Sequence, residues 1–412
     1  MRTHAERWLA AIVVLGGCVT AAVWSARVGW ADYWAQQETS AATERAIALT
    51  PGQSLYYFRL AVLLADQDPR RSNGALNRAV ALNPADANSW IELGLRSEAG
   101  GDYATAERCL LRASEEDKQY LPRWTLANYY YRRNDTARFW YWARASAAMV
   151  YGDTAPLFGL CERVAEDGDL VERLQLRSSD LRASYLAYRL GRRETDGIAP
   201  GAQSVLAADR PSDTPLLLAA CDRLLEGKHL DGALLIWNTL AAAHRIPFGA
   251  LAPDSGPVLT NGTFAISPTS RAFDWRLPTL EGVSASREED AGGLRLTFSG
   301  GQAERCEPLA QFVPVQENRT YELKFAYRTS GISHGAGPRW RVADAFGASV
   351  IANSEALSSQ ETAQGRVSFV SPAGCRLVRL VLEYQRAPGT TRIEGYLVLR
   401  DVRLDPLERP RR

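Results

Sequence analysis

The feature that most constrains this chain is a recurrence. Trp90 and Trp124 lie 34 residues apart, and several of their neighbours recur with them. A period in that range indicates stacked copies of one supersecondary unit, each too small to bury its own apolar face. From Trp90 the unit runs through Leu93, Gly94, Ala106, Leu110 and Ala113, with Gly100-Gly101-Asp102-Tyr103 as the turn between two helical stretches. About one period earlier stand Tyr56, Ala79 and Pro84, and one period later Ala147 follows Ala113. Ala46 and Pro51 close an earlier half-unit that follows directly from the N-terminal segment. Small residues at Gly94, Ala106 and Ala113 let paired helices approach, and Trp90, Leu93 and Leu110 fill the space between them. Pro51 and Pro84 stop helices where a turn is due.

These residues resemble the tetratricopeptide signature, most specifically over 52–118. Further on the pattern loosens: the Trp124 unit carries Asn128 and Trp140 where small residues belong. Helices without a clean period are expected at 156–166, 170–177 and 181–192. Periodicity returns over 213–240, with Ala220, Leu224, Ala233, Trp237 and Leu240 around Gly227-Lys228-His229. A tetratricopeptide-like, all-α solenoid is therefore expected over 35–245. The resemblance implies a concave face that binds peptides or protein partners. Carrying its groove positions onto the Trp124 unit selects Thr125, Tyr129, Arg132 and Arg133. Helix packing is the competing role for Tyr129-Tyr130-Tyr131, since aromatics at helical spacing usually form core.

Arg7 and Arg27 bracket the run Trp8 to Ala26, which has no charged side chain. About 20 such residues cross the hydrocarbon core as a helix, so 8–28 is expected to be a transmembrane anchor. Arg2, Arg7 and the terminal amine outweigh Glu6, which places 1–7 in the cytoplasm as a short tail and the bulk of the chain outside. Trp30, Tyr33 and Trp34 suit the outer headgroup layer. Two rivals stand beside this reading. Leu15-Gly16-Gly17-Cys18 resembles a lipoprotein box with Cys18 as the lipidated residue, and a cleaved signal peptide also begins this way. All three export the chain.

Past Pro247 the pattern changes. Pro253, Gly256 and Pro257 mark an expected linker over 246–257. After it, apolar residues alternate in Leu294-Arg295-Leu296-Thr297-Phe298, in Tyr321 to Arg328, in Val367 to Phe369 and in Val378 to Tyr384. From Ile393 to Leu404 the apolar parity switches near Val398, as at a bulge or between two short strands. Short strands with turn clusters between them predict an all-β, antiparallel sandwich over 258–408.

Within it, Leu259-Thr260-Asn261-Gly262-Thr263-Phe264, then Phe273-Asp274-Trp275-Arg276, and finally Gly395 to Val402 resemble galactose-binding-type jelly rolls and carbohydrate-binding modules. The whole arrangement resembles bacterial proteins associated with exopolysaccharide and surface-glycan assembly. That resemblance implies carbohydrate binding by Trp275, Arg276, Arg339, Trp340 and Arg341. Rings would stack on sugar C–H faces while planar groups hydrogen-bond the hydroxyls. For both tryptophans the core is the competing location.

Chemistry of other kinds finds little support. With 48 Lys and Arg against 47 Asp and Glu, the net charge of +1 gives no steering toward nucleic acid. His4, His229, His244 and His334 show no metal-ligand spacing, and CxxC, P-loop and GxGxxG motifs are absent. No catalytic residue, metal or cofactor is expected, although two distant carboxylates of a glycosidase leave no local motif. Glu288-Glu289-Asp290 reads as a solvated charged loop. Cys306 and Cys375 are candidates for pairing in an oxidising compartment. The expectation is a non-catalytic, single-pass scaffold of the bacterial inner membrane, periplasmic for most of its length. The alternatives are an exported polysaccharide-acting hydrolase and a purely structural envelope protein.

Overall fold

A computed structural model describes residues 4–165, 170–288, 292–347 and 349–407. The chain forms two compact units, 1–176 and 177–412. The first is helical, and the second joins helices to a β-sandwich.

In the first unit, α1 (His4–Ala35) is one unbroken helix. Trp8, Leu9, Ile12, Val13, Leu15, Val19, Val23 and Trp24 on it are all exposed. From Arg7 to Ala35 it is long and apolar enough to cross a membrane, and its most apolar 18 residues have a mean hydropathy of 2.1. It does not stop at the expected boundary of 28. Its last turns bury Ala31 and Ala35 against Ala46 and Tyr56, so the same helix supplies the first member of the helical array. The Tyr56 hydroxyl donates to Asp32, and burial together with that carboxylate pushes Tyr56 up to about 12.

Further helices follow: α2 (Ser40–Leu49), α3 (Ser54–Leu63), α4 (Pro69–Leu82), α5 (Ala87–Ala99), α6 (Tyr103–Glu116), α7 (Tyr120–Arg132), α8 (Thr136–Ala147), α9 (Ala155–Val164) and α10 (Leu170–Leu174). α3 packs on α4, α5 on α6 and α7 on α8. The second helix of each pair starts on an aspartate. Asp68, Asp102 and Asp135 accept from the N–H groups of Arg71 (3.1 Å), Thr105 (3.0 Å) and Arg138 (3.0 Å), satisfying donors the helix itself leaves open. The first helix of each pair brings a small buried residue to its partner: Ala61, Gly94 or Ala127. A Cβ on Gly94 would lie 2.8 Å from the Leu110 side chain. These three recur every 33 residues. Trp90 and Trp124, 34 apart, are therefore not structurally equivalent; they differ by one helical position.

The second unit opens with α11 (Ser179–Leu190), α12 (Ile198–Leu206), α13 (Thr214–Glu226) and α14 (Leu230–Ala242). α12 lies outside the helices expected from the sequence. Pro200 falls in the first turn, where N–H groups have no intrahelical acceptor to lose. Residues 246–257, expected as a linker, are packed instead. Ile246 and Leu251 are buried, and Phe248 stacks on Trp237 with ring centres 5.6 Å apart. Asn238 exchanges two hydrogen bonds with the Leu251 backbone, at 2.9 and 2.8 Å. Three large apolar side chains in one short segment need cover, and α14 supplies it.

Two antiparallel sheets complete the unit. One has the order β1 (Val283–Arg287), β2 (Leu294–Ser299), β9 (Glu394–Pro406), β4 (Thr320–Ser330), β7 (Ala363–Val370). The other has the order β3 (Arg305–Pro314), β8 (Leu377–Gln385), β5 (Arg339–Asp344), β6 (Val350–Asn353). Leu294, Leu296 and Phe298 of β2 share one core with Trp340 and Val342 of β5 and with Leu380 and Leu382 of β8. The parity switch expected near Val398 belongs to a single strand. Opposite β4, β9 carries one extra residue between Arg400 and Arg403, and Asp401 there has φ of 49°. The two motifs at the ends of the sandwich meet: the Val402 N–H donates to the Gly262 carbonyl (2.9 Å). A Cβ on Gly262 would fall 1.9 Å from the Val402 oxygen, so only glycine fits. Cys306 and Cys375 are both buried free thiols.

Glu288, read from sequence as solvated, is tied to two arginines: Arg295 (2.6 Å) and Arg400 (2.7 Å). Glu289 and Asp290 lie outside the described residues. Burial acts to raise the Glu288 carboxyl, but the two guanidinium groups outweigh it and hold it below its ordinary 4.5. A carboxylate lowered in the folded state stabilises the protein above its unfolded value, and that stabilisation is lost as pH falls through the folded value. The melting temperature should therefore fall more steeply below pH 4.5 in the wild type than in Glu288→Gln. Identical acid slopes in thermal melts of the two proteins would exclude this role.

Candidate functional site

The expected groove residues of the helical unit are mostly structural. Thr125 is buried on α7, and its hydroxyl donates to the Leu121 carbonyl (2.9 Å). Tyr129 is buried and donates to the Tyr103 carbonyl (3.0 Å). Its neighbour Tyr130 donates to Glu107 (2.8 Å), and burial plus that contact raise it to about 12. Arg132 spends its fork on both Glu98 oxygens, at 2.8 and 2.7 Å, tying α7 back to α5. Arg133 lies over the Tyr103 ring, 3.7 Å from its centre. Tyr129, Arg132 and Arg133 thus fasten one helical pair to the next, and Thr125 bonds within its own helix.

A different set of side chains is open. Aligning the first helices on Ala61, Gly94 and Ala127 makes Leu55, Asn88 and Leu121 equivalent, and likewise Val62, Leu95 and Asn128. In each helix the two positions are seven residues apart and so lie on one side. Leu55, Val62, Leu95 and Leu121 are all exposed aliphatics. Their signal was present in the sequence, as aliphatic residues at a spacing of 33 outside the packing positions, and the 34-residue alignment hid it.

In the sandwich, Trp275 and Trp340 are fully buried. Their rings lie 5.8 Å apart, and Trp340 also meets Phe325 at 5.9 Å. Neither can present a face to a sugar, which corrects the expectation for both. Among the described residues of 258–407 no aromatic side chain is exposed. Arg276 is also not a ligand group. It donates to Asp222 of α13 (2.5 Å) and to the Ala272 carbonyl (3.2 Å), and lies over the Phe312 ring at 5.0 Å. Asp222 further accepts from the Ala272 N–H (2.7 Å) and from Arg271 (3.2 Å).

The motif Phe273 to Arg276 thus seats the sandwich on its helices. Phe273 packs edge-on against Trp237, at 5.7 Å. Asp274 is buried and accepts from the Thr269 N–H (2.6 Å) and hydroxyl (2.9 Å). Burial raises the Asp274 carboxyl, and these donors oppose the rise. Arg376 of the loop before β8 adds an ion pair to Asp231 of α14 (3.1 Å).

Arg339 and Arg341 have a different setting. With Trp340 and Val342 inward, they project from the outer face of the four-stranded sheet. One end of that face, including Leu377 and Phe312, packs in the apolar cluster of α13 and α14. The other end is polar. Arg341 pairs with Glu307 and approaches Glu383 (3.7 Å), Arg379 pairs with Glu307 (2.8 Å), and Arg305 pairs with Glu383 (2.7 Å). Arg339 stands opposite Glu383 in the register and is exposed. Four arginines against two glutamates leave the patch with two positive charges. Guanidinium and carboxylate groups fixed on a sheet face can hydrogen-bond hydroxyls and carboxylates in defined directions.

Neither a protein-family model nor a curated protein matches this sequence. Among solved structures, the chain is similar to a protein described under "CBM4 structure and function", at 13% identity over 36% of this chain and 98% of that one, TM-score 0.29. It is also similar to TmCBM61, solved with β-1,4-galactotriose, at 14% identity over 37% and 100% of the two chains, TM-score 0.28. A third similarity is to YrrB, a TPR protein with an unusual peptide-binding site, at 13% identity over 50% and 93%, TM-score 0.24. At these scores no function passes from those proteins to this chain.

Proposed function

We propose that this protein is a non-catalytic scaffold held in a bacterial inner membrane by α1, with its bulk in the periplasm. Its paired helices take protein partners of a surface-glycan assembly system on the face bearing Val62, Leu95 and Leu121. Its sandwich takes a glycan, or a partner, on the polar sheet face around Arg341. One observation carries the reading: an apolar helix exposed over 7–27 packs its last turns onto paired helices that carry exposed aliphatics at equivalent positions. An exposed apolar span of that length suits a bilayer. Aliphatics in register across successive repeats suit an apolar segment of another protein.

The test is photo-crosslinking in cells, with the reactive side chain at Val62 or Leu95. An adduct with an envelope-assembly membrane protein should form at both positions. It should fall about tenfold or more in the Val62→Asp, Leu95→Asp double variant at unchanged melting temperature, since two contacts of roughly 1 kcal/mol or more are removed. No adduct at either position would remove the scaffold reading.

A further inference from the structure

We infer that the helical array touches the bilayer surface directly, through the α2–α3 turn and the first turn of α3, and does not hang from a flexible tether. The inference rests on the reading of α1 as a membrane span and adds where the array meets the lipid. It follows from registers fixed by hydrogen bonds. α3 donates twice to α1: Tyr56 Oη to Asp32, and Arg59 Nη1 to the Ala35 carbonyl (3.2 Å). Both bonds join residues 24 apart, so a residue of α3 lies within about one helical turn of the level of the α1 residue numbered 24 lower. α2 gives an independent check. It runs back along α1, and its last carbonyl, at Leu49, accepts from Arg27 Nε. The end of α2 therefore sits beside the first charged residue past the apolar run.

Depth follows from helix geometry. If the hydrocarbon boundary lies near Val28, the headgroup layer extends about 5–7 Å beyond it. At about 1.5 Å per residue that layer spans roughly four residues of α1. Trp30 and Tyr33 fall at this level, both more than half exposed, as interfacial aromatics should be. By the register, Gly52 stands near the level of Val28 and Leu55 near that of Ala31. Pro51, Gly52, Gln53 and Leu55 are all exposed. An exposed leucine beside a ring of interfacial aromatics fits the apolar edge of the headgroup layer. Val62, seven residues further on, clears the layer by this count and stays free for a protein partner. The segment that touches lipid is uncharged from Thr50 to Phe58, so the contact is apolar and not selective for anionic lipid.

The experiment uses the full chain in phosphatidylcholine vesicles, with a fluorophore on one exposed cysteine at a time, the other five native cysteines being buried, and nitroxide-labelled lipids as quenchers. Cys18 is exposed on α1 near the middle of the span and reports insertion with an acyl-chain quencher. In a Cys18→Ser background, Gly52→Cys and Leu55→Cys report surface contact with a headgroup quencher. A Cβ at Gly52 meets no atom within 4 Å, so that substitution fits. Gln67→Cys, exposed in the turn that follows α3, is the control. The expected result is strong quenching at Cys18 and at least threefold more headgroup quenching at 52 and 55 than at 67. Quenching at Cys18 with equal, weak signals at 52, 55 and 67 overturns the inference and leaves the anchor standing. No quenching at Cys18 overturns the anchor itself, and the inference with it.

Discussion

Trp340→Ala should lower the folding stability of the sandwich by about 3–5 kcal/mol, the usual cost of truncating a fully buried tryptophan. The indole is completely buried and touches the rings of Trp275 and Phe325 across the two sheets. Its removal leaves a large cavity where both sheets meet. The ring nitrogen is buried without a hydrogen-bond partner, so the loss comes from packing. Trp340→Phe should recover a large part of the stability, because it restores ring contact and removes an unpaired donor. Urea unfolding followed by tryptophan fluorescence measures both variants. An alanine variant within 1 kcal/mol of wild type would place Trp340 outside the core.

Asp222→Ala should be nearly as damaging, at about 3 kcal/mol or more, the range for stranding a buried charge. Asp222 holds Arg276, the Ala272 N–H and Arg271. Its side chain is 10% exposed and that of Arg276 27%, whereas Arg271 is 56% exposed and contributes little through solvent screening. The expected signature is more specific than lost stability. The sandwich should detach from α13 while its own core survives, so limited proteolysis should cut near 246–257 in the variant and not in the wild type. Asp222→Asn, which keeps an acceptor oxygen for Ala272, should be milder. Wild-type stability and an uncut segment in Asp222→Ala would show that the apolar cluster around Trp237 and Phe273 suffices.

Much of the fold was legible in the sequence because burial patterns are local. Alternation in Leu294 to Phe298 and Val378 to Tyr384 marks strands, and small residues such as Gly94 and Ala106 mark close helix approach. The site residues were far less legible. Trp275 and Arg276 sit in a motif that looks like a ligand platform, yet one is core and the other pairs with Asp222, 54 residues away. No local pattern announces a partner at that distance. The same limit hid Glu307 and Glu383, which only strand order brings to Arg341 and Arg379. The α1–α2–α3 register was hidden too, since Asp32, Ala35 and Leu49 acquire meaning only when the helices lie side by side. Residues 246–257 misled differently: three prolines and two glycines suggested freedom, while Ile246, Phe248 and Leu251 required cover.

Polysaccharide binding by the full chain in nanodiscs, wild type against Arg341→Ala and Arg379→Ala, tests the glycan-facing scaffold most directly. Both arginines lie on the polar sheet face, with side chains 15% and 36% exposed, and charge-assisted hydrogen bonds are each worth about 1.5–3 kcal/mol. The account predicts saturable binding of a surface polysaccharide by the wild type. It predicts a loss of about tenfold or more in each variant, with the melting temperature kept within a few degrees. A folded wild-type protein that binds no polysaccharide, or variants that bind as well as the wild type, would contradict it.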